Sequence, residues 1–419
     1  MTEPVEHLFR REAGRITSSV VRVFGIHNLA LAEDVVQEAF CRALEVWPFR
    51  GVPDDAAAWL MVTAKHCALD AIRRERTARR FAPELTEALE SEWTLQPALE
   101  EQFAPAAVKD DLLRMMFSCC HPKLAENAQV GLILHILCGF SIDEVSAAFV
   151  TRREAIEKRM QRAKQVLAVS KTLFDVSAPH EFSKQLPGVQ RALYLLFNEG
   201  YHGASPDGAV HPALCKEAAR LTDVLLEHPL GKTPSTYALA ALMAFNAARL
   251  PARVDSLGNL VALTDQDRSK WDGQQLAKGL SLLDLSAVGE SLSQYHLEAS
   301  IASLHAAAKS TRDTDWRTIV SLYDILLAMA QSPIVALNRA IAIAQAEGPE
   351  RGLQEIDGIA DRERLESYPF YPATIGELEL RRGRKGEAMR HFETALKLAR
   401  SPTERRFLEA RLSASRQMH

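Results

Sequence analysis

Apolar residues recur along most of this chain at intervals of three and four, the spacing that gathers them on one side of an α-helix. In "LAEDVVQEAFCRALEVWP", Val35, Val36, Ala39, Phe40 and Leu44 take one side, and Glu33, Asp34 and Glu38 take the other. From Arg152 onward, Ile156, Met160, Ala163 and Leu167 form a second stripe. Glu154, Lys158, Gln161, Arg162 and Gln165 face away from it, with Arg153 and Glu157 on its borders. Strand-like alternation is rare, and Ala, Leu, Glu and Arg fill the periodic segments, so the expected fold class is all-α.

Helix starts are also legible. In "SIDEVSAAFVTRREAIEKRMQRAK", Ser141 precedes Glu144 by three residues and Thr151 precedes Glu154 by three, each the signature of a capping box. A short helix with Ile142, Val145, Ala148 and Phe149 on its packing side is thus expected to lead through a tight turn into a long basic helix. These are the parts of a helix-turn-helix. In a major groove, Lys, Arg and Gln on the second helix reach base edges, while Arg152 and Arg153 meet phosphates. The same residues also fit a basic helix facing only water.

Composition divides the chain. The 419 residues carry a net charge of −4, against indiscriminate coating of nucleic acid, and the charge is segregated. Residues 1–80 read as a helical unit ending in the basic run "DAIRRERTARR". Residues 81–107 hold six Glu, three Pro and no Lys or Arg, a linker that is either a solvated spacer or rests on a basic surface. Residues 108–172 form a second helical unit, 173–185 a connection, and 186–419 a third, wholly helical region. Within its tail, Gly376, Gly383, Ala388, Phe392, Ala395 and Pro402 fit the small, aromatic and breaker positions of a tetratricopeptide repeat, with a weaker copy about 36 residues earlier. No apolar stretch is long enough to span a membrane, and no secretory signal precedes the first helix. Six scattered cysteines fit a reduced, cytoplasmic setting.

The N-terminal motifs are more specific. "LAEDVVQEAFCRA" and "AAAWLMVTAKHCALDAIRRERTARR" resemble domain two of extracytoplasmic-function (ECF) sigma factors. The match is close at Ala32, Glu33, Asp34, Val36, Gln37, Glu38, Phe40, Arg42 and Ala43, and again at Trp59, Leu60, Ala64, Ala68, Asp70, Arg73 and Arg74. Residues 108–172 resemble domain four, with the paired helices where that family reads promoters. "CCHPKLAENAQVGLILHILCGFSIDEVSAAFV", "LYLLFNEGYHGAS" and "DTDWRTIVSLYDILLAMAQSPIVALNRAIA" resemble the subgroup with a tetratricopeptide-like C-terminal extension.

That resemblance implies a promoter-specificity subunit whose partners are core RNA polymerase, through its β′ clamp helices and β flap, and promoter DNA. It implies −35 contacts from Arg152, Arg153, Glu154, Glu157, Lys158, Gln161 and Arg162, and −10 contacts from Lys65, His66, Asp70, Arg73, Arg74 and Arg76. His66 stands where many members have Asn, which leaves the preferred −10 base unsettled. Glu33, Asp34, Gln37, Glu38 and Phe40 would dock on polymerase, and "FRGVPDD" would capture a flipped base. The extension would restrain or support activity, with a protein or a small ligand as its partner. The alternative is a stand-alone helix-turn-helix regulator with a helical sensor domain.

No phosphate loop and no nucleophile–base arrangement stands out, so neither an enzyme nor a cofactor is expected. Cys119, Cys120, His121, His135 and Cys138 look like zinc ligands at first, but adjacent cysteines serve one tetrahedral ion poorly, and buried thiols explain them more simply. "TDQDRSKWD" reads as local ion pairs around a helix start rather than a calcium loop. "FNEGYHG" gathers Asn198, Glu199, Tyr201 and His202, as a turn between helices or a ligand pocket.

Overall fold

Helices account for nearly all of the regular structure, and among the described residues the sole β-type pairing is an isolated bridge between Val254 and Leu260. The computed structural model describes residues 2–79, 105–149, 151–169, 179–202, 210–256, 258–289, 291–399 and 402–417. Most of the acidic linker lies outside them. The chain divides into two compact units, one of residues 1–196 with 227–231, the other of 197–226 with 232–419.

In the first unit, α1 (Thr2–Phe24), α2 (Leu29–Arg50) and α3 (Ala56–Arg79) pack on one another. The expected stripe of α2 is buried at Val35, Val36, Ala39 and Phe40, whereas Leu44 is 46% exposed. Phe9 meets Phe40 edge-on at 4.9 Å, and Trp47 meets Trp59 at 5.4 Å. Next come α4 (Pro105–Cys119), α5 (Glu126–Leu132) with a π turn at Ile133–Leu137, α6 (Ile142–Ala148) and α7 (Arg153–Ala168). This second group is no separate body: α1 packs against α4 and the π turn. Gly14 makes the approach feasible, because a Cβ there would lie 1.8 Å from Leu137 O. Arg22 Nη1 donates to the buried Asp111 across the same seam at 2.7 Å. Burial raises the Asp111 carboxyl, and the Arg22 bond opposes that rise.

Only one of the two expected capping boxes forms. Ser141 N donates to Glu144 Oε2 at 2.8 Å, and Glu144 N returns a bond to Ser141 Oγ at 3.2 Å. At α7 the N-cap is Arg152, with no side-chain cap. Thr151 sits one residue too early and gives its N–H to Ser146 O. A capping box needs Glu at the third helical position, and Glu154 occupies the second. The helix α8 (Pro179–His202), through Leu196, belongs to the first unit, where Phe182 packs on Phe117 and on His228.

The second unit contains α9 (Pro212–Glu227), mostly within it, and α10 (Pro234–Ala248), whose N-cap Thr233 accepts from Thr236 N. Apolar nearly all round, α10 is buried from Ala238 to Phe245. Around it pack α11 (Leu250–Arg253), α12 (Gly273–Ser286) and α13 (Gln294–Ala307). Asp272 caps α12 through Gln274 N and Gln275 N, and Asp267 caps the preceding turn through Ser269 N, so these acids of "TDQDRSKWD" serve as caps. Then follow α14 (Trp316–Met329), α15 (Pro333–Glu347), α16 (Pro349–Asp357), α17 (Phe370–Arg381), α18 (Lys385–Leu398) and α19 (Pro402–Gln417). The pairs α15–α16 and α17–α18 are successive hairpins. Gly376 admits Phe392, whose ring would lie 3.1 Å from a Cβ at that position.

Candidate nucleic-acid interface

The helix α7 buries Ile156, Met160, Ala163 and Leu167, the expected stripe. Arg152, Arg153, Glu154, Glu157, Lys158, Gln161 and Arg162 are all exposed. Within the same group, α6 supports it with buried Val145, while Met160 lies over Gly131 beside Phe149. Two of the expected readers are engaged with the protein itself: Arg153 donates to Asp143 at 2.5 Å and to Glu157 at 2.9 Å. Those two carboxylates hold the Arg153 guanidinium above its ordinary pKa. To contact DNA, Arg153 and Glu157 must exchange partners. Lys158 and Arg162 also line a groove of about 440 Å³ beside the helix.

On α3, His66 is exposed, and Lys65 and Asp70 are half-buried. The side chains of Arg73, Arg74 and Arg76 lie outside the described residues. Sequence reasoning named the loop before α3 without singling out Phe49, which is 90% exposed near Gly51, with Val52 60% exposed. An apolar ring held in water is the signal, and only coordinates reveal it.

Asp34, Gln37 and Glu38 project from α2 into solvent, with Glu38 accepting from Arg42 at 3.0 Å. Phe40, expected among the docking residues, is instead 5% exposed and supports α2 from within. Glu33 is tied to α7, accepting from Lys164 Nζ at 2.8 Å. A crevice of about 310 Å³ lies alongside, lined by Glu33, Gln37, His135, Ser141 and Glu144.

The cysteines suspected as ligands are core residues. Cys119, Cys120 and Cys138 are buried, and burial pushes the Cys120 thiol up to about 12 and Cys119 well above its ordinary value. His135 Nδ1 lies 2.7 Å from Phe140 O. Among the described residues, no group of three His, Cys, Asp or Glu is placed to hold a metal. Nor, among them, is any helix long and apolar enough to cross a membrane.

The model of sigma-70 region 2 matches residues 8–78, that is, α1 through α3. The probable ECF RNA polymerase sigma factor SigI of Mycobacterium tuberculosis is 24% identical over 171 residues, 40% of this chain and 56% of its own length. The chain thus carries a sigma-70 region 2 domain and is similar to an ECF sigma factor. Beyond that domain, residues 185–287 match a family of unknown function, DUF6596. Uncharacterized protein R00370 of Rhizobium meliloti is 35% identical over 385 residues, 92% of this chain and 90% of that one, so the two belong to one family along nearly their whole length. No solved structure matches the chain.

Proposed function

We propose that this chain is a sigma factor of the ECF type, which brings core RNA polymerase to a restricted set of promoters by reading two DNA boxes. The observation that carries the proposal is α7: four buried apolar residues anchor it, and the opposite face keeps Lys158, Gln161 and Arg162 in water beside acidic readers. On this proposal α6 and α7 act as the domain-four helix-turn-helix, with Arg152, Arg153, Glu154, Glu157, Lys158, Gln161 and Arg162 at the −35 box. Lys and Arg meet phosphates or guanine, and Gln pairs with adenine.

Lys65, His66, Asp70, Arg73, Arg74 and Arg76 serve the −10 box. Phe49 adds a ring on which an unstacked base rests, since aromatic faces accept any base. Glu33, Asp34, Gln37 and Glu38 present acid to the β′ clamp helices, and the protein works in the cytoplasm, where polymerase is. The hairpins α15–α16 and α17–α18 form a tetratricopeptide-like array that restrains or supports the sigma core. Support for that array comes from Ala388, Phe392 and Ala395, buried where such a repeat places small and aromatic residues.

Run-off transcription with core polymerase over a randomised promoter library tests the proposal. Selected initiation at templates sharing two spaced boxes is the expected result. Initiation no more selective than with core enzyme alone refutes it. Binding of duplex DNA with full selectivity in the absence of polymerase would favour a stand-alone regulator.

A further inference from the structure

The C-terminal region opens with a helix that packs on the proposed promoter reader. Through Leu196, α8 lies in the first unit. Phe182, Leu186, Val189, Leu193 and Leu196, spaced by four and three, are all buried along it. Phe182 meets the Phe117 ring of α4 at 4.3 Å and stacks on the His228 ring at 4.8 Å. Such a stripe makes α8 part of the core around α4 and α5 rather than a tether leading away from it.

Gly188 is a point of close approach. A Cβ there would lie 3.1 Å from Gln129 Oε1 and 3.2 Å from Cys120 Sγ. Gln129 holds the turn between α4 and α5, its Nε2 donating to Leu124 O at 3.0 Å and to His121 O at 3.2 Å. Further along α8, Arg191 Nε lies 2.7 Å from Glu126 Oε1, at the start of α5. The segment so gripped forms one wall of the groove beside α7. Lys123, Leu124, Ala125 and Ala128 line that wall, and Lys158 and Arg162 line the groove from α7. The helix α5 also bears on α7 directly, since a Cβ at Gly131 would lie 2.6 Å from Met160 Cε. Close-packed contacts of this kind pass a displacement on rather than absorb it.

We propose that Gly188 and Arg191 are positioning residues for −35 reading. By fixing Gln129 and Glu126 they set the groove in which Lys158 and Arg162 stand, so the base preference of α7 depends on α8. This inference rests on the reading of α7 as the −35 helix. A hydrogen bond to a base edge weakens steeply as its distance and angle depart from the optimum. Attraction between a cation and a phosphate falls off slowly with distance. A small shift of α5 against α7 therefore costs base discrimination while leaving the phosphate contacts in place.

The test is competitive run-off transcription by core polymerase and the full-length protein on single-base variants of both boxes. A good base contact discriminates roughly 5- to 150-fold, and Gly188→Leu, which must push Gln129 aside, should cut that −35 ratio by about threefold or more. Arg191→Glu should lower the ratio too, and adding Glu126→Arg should restore it, because the exchanged pair can form again. Ratios among −10 variants and the salt dependence of promoter binding should match the parent's. Poor folding does not imitate this pattern, since a smaller active fraction scales every template alike and leaves ratios intact. Should Gly188→Leu fail to fold, Arg191→Glu and its rescue decide the matter at a partly exposed site. Parental −35 ratios in the variants, or −35 and −10 ratios that fall together, would overturn the proposal. An unmutated protein with no −35 preference would bring down the reading of α7 and this inference with it, a failure visible before any substitution is made.

Discussion

Lys164 Nζ lies 2.8 Å from Glu33 Oε1, joining the basic helix α7 to the acidic helix α2, and both side chains are partly shielded from water. The pair places a residue proposed for polymerase docking under a residue of the proposed promoter reader. Docking Glu33 on another basic surface requires breaking that bond. Lys164→Ala should therefore tighten binding to core polymerase, and Glu33→Lys should weaken it. A half-exposed ion pair is worth about 0.5–1 kcal/mol, so the gain for Lys164→Ala is roughly two- to fivefold. Fluorescence anisotropy of labelled sigma factor titrated with core enzyme measures both, and equal affinities for all three proteins would sever the link.

Gly14 is where α1 touches the π turn, and a methyl group there would be forced into Leu137 O. Backbone cannot swing aside as a side chain can. Gly14→Ala should cost about 2 kcal/mol or more and loosen α1 from the second module. Gly131→Ala is the informative comparison, because its new methyl would meet the mobile end of Met160 at 2.6 Å. Urea unfolding of the two variants should rank them in that order, Gly14→Ala the less stable.

How much of this was visible in the sequence depends on how local each feature is. The stripe Ile156, Met160, Ala163 and Leu167 lies within one helix, and periodicity alone placed it in the core. Phe40 is on the buried side of α2 by the same periodicity, so its inclusion among docking residues contradicted its own spacing. The Thr151 cap failed by one residue, because sequence marks where a helix can start and the chain's path decides where it does. The bonds Arg22–Asp111 and Lys164–Glu33 join positions far apart in sequence, and nothing in local spacing announces them.

Phe49 tests the −10 half of the proposal. Its ring is almost wholly in water, so Phe49→Ala should leave the unfolding free energy nearly unchanged, within about 0.5 kcal/mol. Loss of a stacking platform should cost about 1–3 kcal/mol in holding an unstacked base, a drop of roughly five- to 150-fold in the equilibrium for open complexes. Permanganate footprinting of promoter opening reports this directly. Undiminished opening removes Phe49 from the site.

Lys158 and Arg162 test the −35 half. Replacing both with Ala removes two exposed cations from α7 while leaving its buried stripe intact. If one meets a phosphate, the salt dependence of promoter binding by the holoenzyme should become shallower by about 0.9 per lost contact. If one reads a guanine, preference at a single −35 position should fall by about 1–3 kcal/mol. Affinity measured between low and moderate salt on a panel of single-base promoter variants separates these outcomes. A variant with the parent's salt slope and base preferences would exclude both residues from the reading face.

His305 gives the second unit a pH dependence whose sign is fixed by its surroundings. Burial first, then the charges of Arg249 and Arg268, lower its pKa from 6.5 to about 4. The folded state thus favours neutral imidazole, and the stability this confers is fully present above pH 6.5. As pH falls through the interval from 6.5 to about 4, the unfolded chain takes up a proton that the folded one resists, and stability declines. Its neighbour Trp316 meets the His305 ring edge-on at 5.3 Å, so an aromatic replacement preserves that packing. His305→Phe should flatten the decline between pH 7 and pH 5 without abolishing the fold, as followed by guanidinium unfolding of the full chain at each pH. A variant that loses stability on acidification as steeply as the parent would show that another group carries the dependence.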